Sequence, residues 1–199
     1  LDCGESGSTL RFLIPIALAA AGGGIFTGRG RLLARPQQPY AALFAQKGIF
    51  FAQEAQAITV GGVLEPGRFQ LPGDVSSQFV TGLLYALPLL AGDSDVALTS
   101  PLESRGYVDM TVEALAAFGV RLEEGPQGWH IPGGQTYRPV RAAVEADWSQ
   151  AAFWYAANFA GGQVDIQGLN MDSKQGDKVI ALQYWKLAKP GEAELDVSQ

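Results

Sequence analysis

With 199 residues, 47% of them apolar and 17% charged, the chain can build a sizeable core, as one domain or two small ones, and is not a disordered tail. A single cysteine, Cys3, excludes an internal disulfide, and with one histidine, His130, the usual thiolate and imidazole zinc sets cannot be assembled. The net charge of −6 and the lack of a basic run argue against a general nucleic-acid binder, whose affinity depends on clustered Lys and Arg.

In chain order, Leu1 is not an initiator methionine and the first residues read as the lead-in to a helix, not a signal peptide, so a fragment is expected. A helix starting near Ser8-Thr9 is predicted over Leu10 to Ala21, followed by a β-favouring run at Ile25 to Thr27. A second helix runs from Pro36 to Lys47 with Tyr40, Leu43 and Phe44 on one side, and a strand from Ala57 to Val60. Ser76-Ser77 open a helix over Gln78 to Leu90, after which come a strand at Val96 to Thr99 and a helix at Tyr107 to Phe118. Short strands at Val120 to Leu122 and at Trp129 to Ile131 follow, the latter placing His130 in an edge strand. Ser149 opens a helix over Gln150 to Ala160; a run at Val164 to Gln167 and a helix from Asp177 to about Leu187 complete the pattern. The two most apolar stretches, Phe12 to Phe26 and Phe79 to Leu90, fall short of the roughly 20 residues of a membrane span and carry Pro15 and Pro88, so both read as buried core.

The pattern repeats. Gly23, Gly92 and Gly161 fall at equal intervals, as do the second-helix starts at Pro36, Gly106 and Gly176, which gives three β-α-β-α-β-β units with a period of about 70 residues. The first helix of each unit is apolar nearly all round and should be enclosed; the second is amphipathic and should lie nearer solvent. Closed around one axis, such units would gather the N-termini of the enclosed helices, whose unpaired N–H groups and partial positive charge make an anion site. Ser8, Thr9, Ser76, Ser77 and Ser149 sit at those starts, and Arg11, Arg35 and Arg105 lie at or near helix starts.

Each signal has a plainer reading beside it. Ser76-Ser77 alone is an ordinary N-cap, but Gln78 carries a polar amide into an apolar helix and needs a partner, of which a ligand is one candidate. Arg35-Pro36 reads as a solvated Arg before a Pro at the first helical position, or as a guanidinium forked onto a carboxylate or phosphate. The Ser104-Arg105-Gly106-Tyr107 turn is equally open. Gly4 to Ser8 lacks the spacing of a nucleophile elbow, and neither Gly22-Gly23-Gly24 nor Gly28-Arg29-Gly30 matches a phosphate-binding or dinucleotide fingerprint. Asp93 and Asp95 fall in a helix-to-strand turn, and Trp129, Trp148, Trp154 and Trp185 read as core or interface anchors.

Five stretches together resemble the enolpyruvyl transferase family, over essentially the whole chain: residues 1–11 (LDCGESGSTLR), Arg35-Pro36, residues 73–79 (GDVSSQF), residues 104–109 (SRGYVD) and residues 172–177 (DSKQGD). The resemblance implies an inside-out α/β barrel of repeated βαβαββ units with buried parallel helices. Residues 1–143 would form two units of the first, substrate-binding domain and residues 144–199 one unit of the second. It implies transfer of the enolpyruvyl group of phosphoenolpyruvate to the 5-hydroxyl of shikimate 3-phosphate with release of phosphate, without metal or organic cofactor, by a cytoplasmic enzyme monomeric at full length, with no nucleic-acid or membrane partner. By position, Ser76, Ser77, Gln78, Ser104 and Tyr107 match the shikimate 3-phosphate site, and Gly7, Arg35 and Gln78 the phosphoenolpyruvate site; Arg11 matches a position in or beside the cleft. No catalytic residue is expected in the chain, which begins after the family's N-terminal Lys-Ser and Arg contacts and ends at residues 195–199 before its catalytic Asp. Glu5 stands where the family often has Asn, Phe12 where some members have Pro, and the stretch between Leu182 and Glu194 is shorter than usual. The sister enzyme acting on UDP-N-acetylglucosamine is disfavoured by the Ser-Ser-Gln-Phe and Ser-x-x-Tyr blocks, and a non-catalytic anion-binding fragment is the remaining alternative.

Overall fold

The structure, a computed structural model, describes residues 1–189. The expectations for residues 195–199, and part of the stretch between Leu182 and Glu194, lie outside the described residues. The chain divides into two compact units, Leu1–Val140 and Arg141–Gln199.

In the first unit α1 (Gly7–Ala21) leads into β1 (Gly23–Phe26), α2 (Gln38–Gln46), β2 (Phe50–Gln53) and β3 (Ile58–Gly61), and then β4 (Gly67–Leu71), α3 (Ser77–Ala86), β5 (Ser94–Leu98), α4 (Arg105–Ala117), β6 (Glu123–Gly125) and β7 (Gly128–Ile131). The stretch from β4 to β7 has the order β-α-β-α-β-β read from the repeat. β1, β3 and β2 form one antiparallel sheet in that order; the other runs β4-β5-β7-β6 with β4 parallel to β5 and the remaining pairs antiparallel. β7 is therefore an interior strand, not the edge expected for His130, because the Glu123–Gly125 segment pairs along its outer side.

Local chemistry explains the helix limits. Ser6, in extended conformation, caps α1 by accepting the Thr9 N–H at 3.1 Å, and Gly22, left-handed at φ 71°, ends it by donating to the carbonyls of Ala17 and Leu18. Leu10, Ile14 and Leu18 bury one stripe of α1, whereas α3 buries residues on every side, from Phe79 through Leu84. α2 buries Tyr40, Leu43 and Phe44 as its pattern required, but it starts at Gln38 with Pro39 in its first turn, not at Pro36. Pro36 instead holds Arg35 extended, at φ −68° and ψ 138°. All these apolar side chains join one core that also takes in Phe26, Ile58, Phe69, Val96 and Ile131.

In the second unit α5 (Trp148–Phe159) is followed by a 3₁₀ turn (Gly176–Lys178) and α6 (Val179–Leu187). The run at Val164 to Gln167 forms no strand; its first residue is instead tied to Asn158, whose side chain bonds both the Val164 N–H and its carbonyl. The helix expected to be enclosed is not: Trp148 and Ala151 are buried, but Phe153 is 71% and Trp154 52% exposed. Trp185 is likewise exposed, so of the four tryptophans only Trp129 and Trp148 are core anchors. Among the described residues no helix is long and apolar enough to cross a membrane.

Candidate functional site

α1 and α3 run side by side in the same direction, and their first turns meet. The Gln78 amide makes the junction: its Oε1 accepts from Arg11 Nη1 at 2.8 Å and its Nε2 donates to Ser8 Oγ at 2.9 Å. The partner that Gln78 required is thus found within the protein, and one amide N–H and one oxygen lone pair remain beyond these bonds. Arg11 also donates to the Pro36 carbonyl at 3.2 Å and lies 4.5 Å over the Phe79 ring. Burial lowers its pKa, the neighbouring Tyr40 opposes that, and the Arg35 cation adds to the lowering, so two guanidinium groups share this corner.

Gly7 is the reason Arg35 can reach it. A Cβ built on Gly7 would lie 2.9 Å from Arg35 Nη1 and 3.6 Å from Gln78 Oε1, so only a glycine leaves the guanidinium in place. The first turn of α1 carries no acidic residue, and its leading N–H groups have no intrahelical acceptor. Gly7, Arg35 and Gln78 therefore come together as an electropositive corner, joined by Ser8 and Arg11.

Beside it opens a cleft of about 800 Å³ between α3 and α4, lined by Ser8, Ser76, Ser77, Gln78, Ser104 and Tyr107 and floored by Thr81 and Thr111. The Ser76 hydroxyl caps α3 by accepting the Gln78 N–H at 3.3 Å. Ser104, just before α4, is the one non-glycine with positive φ among the described residues, at 55°. Such a conformation costs free energy that the surroundings must offset. In the preceding loops, Ser100 Oγ accepts the N–H groups of Gly73 and Asp74 and donates to Asp74 Oδ1 at 2.6 Å, clamping the entry to α3 onto the loop before α4. All five residues matched to the sugar-acid phosphate thus border a single cleft.

One expectation fails, and the turns left open by the sequence are resolved. Ser149 does not open its helix, since Asp147 is the cap and accepts from the Ser149 N–H and hydroxyl and from the Gln150 N–H. A carboxylate already occupies that helix end, so it does not offer an anion site. Arg105 is spent on Glu124 and Asp109. Ser173 and Gln175 both donate to Glu145, and Gln175 Oε1 accepts the Trp148 N–H, which makes this segment a brace for α5. Asp95, read as a turn residue, lies in β5 and pairs with His130 Nδ1 at 2.9 Å, raising the imidazole pKa.

Sequence reasoning passed over Thr81 and Thr111, whose hydroxyls are 3.0 Å apart in the buried floor, with Thr111 also donating to the Tyr107 carbonyl. The signal was available: like Gln78, both are polar residues on faces that otherwise read as apolar.

The fold is that of the enolpyruvyl transferase class. EPSP synthase from Acinetobacter baumannii superposes with a TM-score of 0.63 at 24% identity, over 78% of this chain and 35% of that one. The enolpyruvyl transferase NikO from Streptomyces tendae does so at 0.56 and 19%, over 75% and 36%. A sequence model of the EPSP synthase (3-phosphoshikimate 1-carboxyvinyltransferase) family matches residues 1–196, and the chain belongs to that family. The 3-phosphoshikimate 1-carboxyvinyltransferases of Clostridium novyi (strain NT) and Clostridium kluyveri are 46% and 45% identical over 183 residues. Each alignment takes in 90% of this chain and 42% or 43% of the relative, so the chain spans less than half the length of the curated proteins it matches.

Proposed function

We propose that this chain provides substrate-binding surface to an enzyme that moves the enolpyruvyl group of phosphoenolpyruvate onto the 5-hydroxyl of shikimate 3-phosphate, releasing phosphate. Residues 1–143 then belong to the first domain of an inside-out α/β barrel and residues 144–199 to one unit of the second. Ser76, Ser77, Gln78, Ser104 and Tyr107 hold shikimate 3-phosphate; Gly7, Arg35 and Gln78 hold phosphoenolpyruvate. The enzyme works in the cytoplasm as a monomer. The observation that carries the reading is the shared corner where two helix N-termini, two guanidinium groups and the Gln78 amide converge. Both substrates are phosphorylated carboxylates, and N–H groups, hydroxyls and a planar fork address such groups with charge-assisted bonds.

Chemically, these residues bind and orient. The Gln78 amide touches both halves of the site and can present one substrate to the other, while Arg35 neutralises the donor's charge as the phosphate departs. Calorimetry on the whole protein tests the assignment. Shikimate 3-phosphate should bind and UDP-N-acetylglucosamine should not, and Arg35→Ala should weaken phosphoenolpyruvate by about 1.5–3 kcal/mol, the scale of a charged hydrogen bond. Binding of the nucleotide sugar alone would overturn the substrate class, and an unchanged Michaelis constant for phosphoenolpyruvate would remove Arg35 from the site.

A further inference from the structure

Pro15 lies inside α1. A proline has no N–H, so the carbonyl four residues earlier, that of Arg11, loses its intrahelical donor, and the ring crowds that carbonyl. Left unpaired in a buried position it would cost free energy. The structure supplies a substitute from another element: the hydroxyl of Tyr40, on α2, shares its single proton between the Arg11 carbonyl at 2.9 Å and the Phe79 carbonyl of α3 at 3.0 Å. Tyr40 has no exposed surface; its ring stacks on Phe44 and meets Phe79 edge-on. Room for the hydroxyl comes from Gly82, where a Cβ would overlap both Tyr40 Oη and the Arg11 carbonyl oxygen.

One phenol therefore joins the backbones of α1 and α3, at Arg11 and at Phe79, the residue next to Gln78. The Arg11 side chain leaves from the same residue whose carbonyl Tyr40 holds. We propose that Tyr40 is a positioning residue of the anion site: by taking the carbonyl orphaned by Pro15 while bridging to α3, it fixes the offset between the two helices. That offset keeps Arg11, Ser8 and Gln78 at hydrogen-bonding distance. Pro15, Tyr40 and Gly82 form one device, in which the proline vacates a carbonyl, the tyrosine fills it and the glycine admits the tyrosine.

The inference rests on the substrate reading given under Proposed function, and the test separates the two. In the whole protein, shikimate 3-phosphate binding by the unaltered form checks that reading; Tyr40→Phe, which keeps the ring and removes only the hydroxyl, checks the inference. Its dissociation constant for shikimate 3-phosphate and its Michaelis constant for phosphoenolpyruvate should rise about 3- to 10-fold, the range one neutral hydrogen bond commands. Thermal unfolding is followed in parallel. Adding Pro15→Ala to Tyr40→Phe returns an N–H to the Arg11 carbonyl but not the bridge to α3, so the unfolding midpoint should recover while the affinity loss persists. Recovery of affinity together with stability would reduce Tyr40 to a structural role, and unchanged affinity in Tyr40→Phe would overturn the proposal. Absence of shikimate 3-phosphate binding in the unaltered protein would instead strike the substrate reading.

Discussion

At Gly7 the absence of a methyl group leaves the Arg35 guanidinium its present position. Its missing Cβ leaves the space into which Arg35 Nη1 projects, and the nearest atom of Gln78 is farther away. We predict that Gly7→Ala displaces the guanidinium by a few tenths of an ångström, raising the Michaelis constant for phosphoenolpyruvate about tenfold, since small misplacements in a preorganised site are costly. Binding of shikimate 3-phosphate, which we assign to the hydroxyls of Ser76, Ser77 and Ser104, should change less than about twofold. Equal losses for both substrates in steady-state kinetics and calorimetry would point to a distorted helix instead. Residues of this kind differ in how visible they are in sequence. Gln78 announced itself as an amide on an apolar face, whereas the linked roles of Tyr40 and Pro15 depend on which carbonyl a distant hydroxyl reaches, and no local pattern encodes that.

Helices and strands were legible to different degrees. The start of α3 and the apolar faces of α2 and α4 follow from caps and periodicity, because those signals act within one or two turns, whereas α1 starts at Gly7 on the Ser6 cap, ahead of the start expected near Ser8-Thr9. β2 and β4 were missed, and the strand expected at Val120 to Leu122 forms instead at Glu123–Gly125: Phe50–Gln53 and Gly67–Leu71 are short, carry Gln, Arg and Gly, and are strands because of what they pair with. For the same reason Val164 to Gln167 has strand-like composition without being one. α5 shows how a cap can mislead, since Ser149 and Asp147 are both good N-caps and the carboxylate takes the position. A hydrogen bond from the Ser149 side chain, helped by the Ser149 and Gln150 N–H groups, holds the Asp147 carboxyl below its ordinary 3.8 against the opposing effect of burial. A depressed folded pKa means that the contribution to stability is complete above the unfolded value and is lost as pH falls through the folded one. We therefore predict that α5 loses stability below about pH 4, and that Asp147→Asn, which keeps an acceptor without a titrating proton, flattens this dependence. An acid titration of far-ultraviolet circular dichroism compares the two, and identical profiles would remove Asp147 as the source.

On the scale of the whole chain, an excess of negative charge coexists with a locally electropositive corner, because the corner draws on helix ends and two local guanidinium groups and not on net charge. Binding and turnover make different demands on such a surface. Taking a proton from an attacking hydroxyl calls for a group that exchanges protons near neutral pH. Guanidinium, amide and hydroxyl groups hold charge in place without doing so, and Glu103 is the single carboxylate along the described cleft. We predict that the 199-residue chain by itself binds shikimate 3-phosphate weakly and releases little or no phosphate from phosphoenolpyruvate. A coupled phosphate assay run beside calorimetry distinguishes the outcomes. Heat of binding without phosphate release is expected, whereas steady release would mean that the proton carriers lie within these residues, with Glu103 the first to replace by Gln.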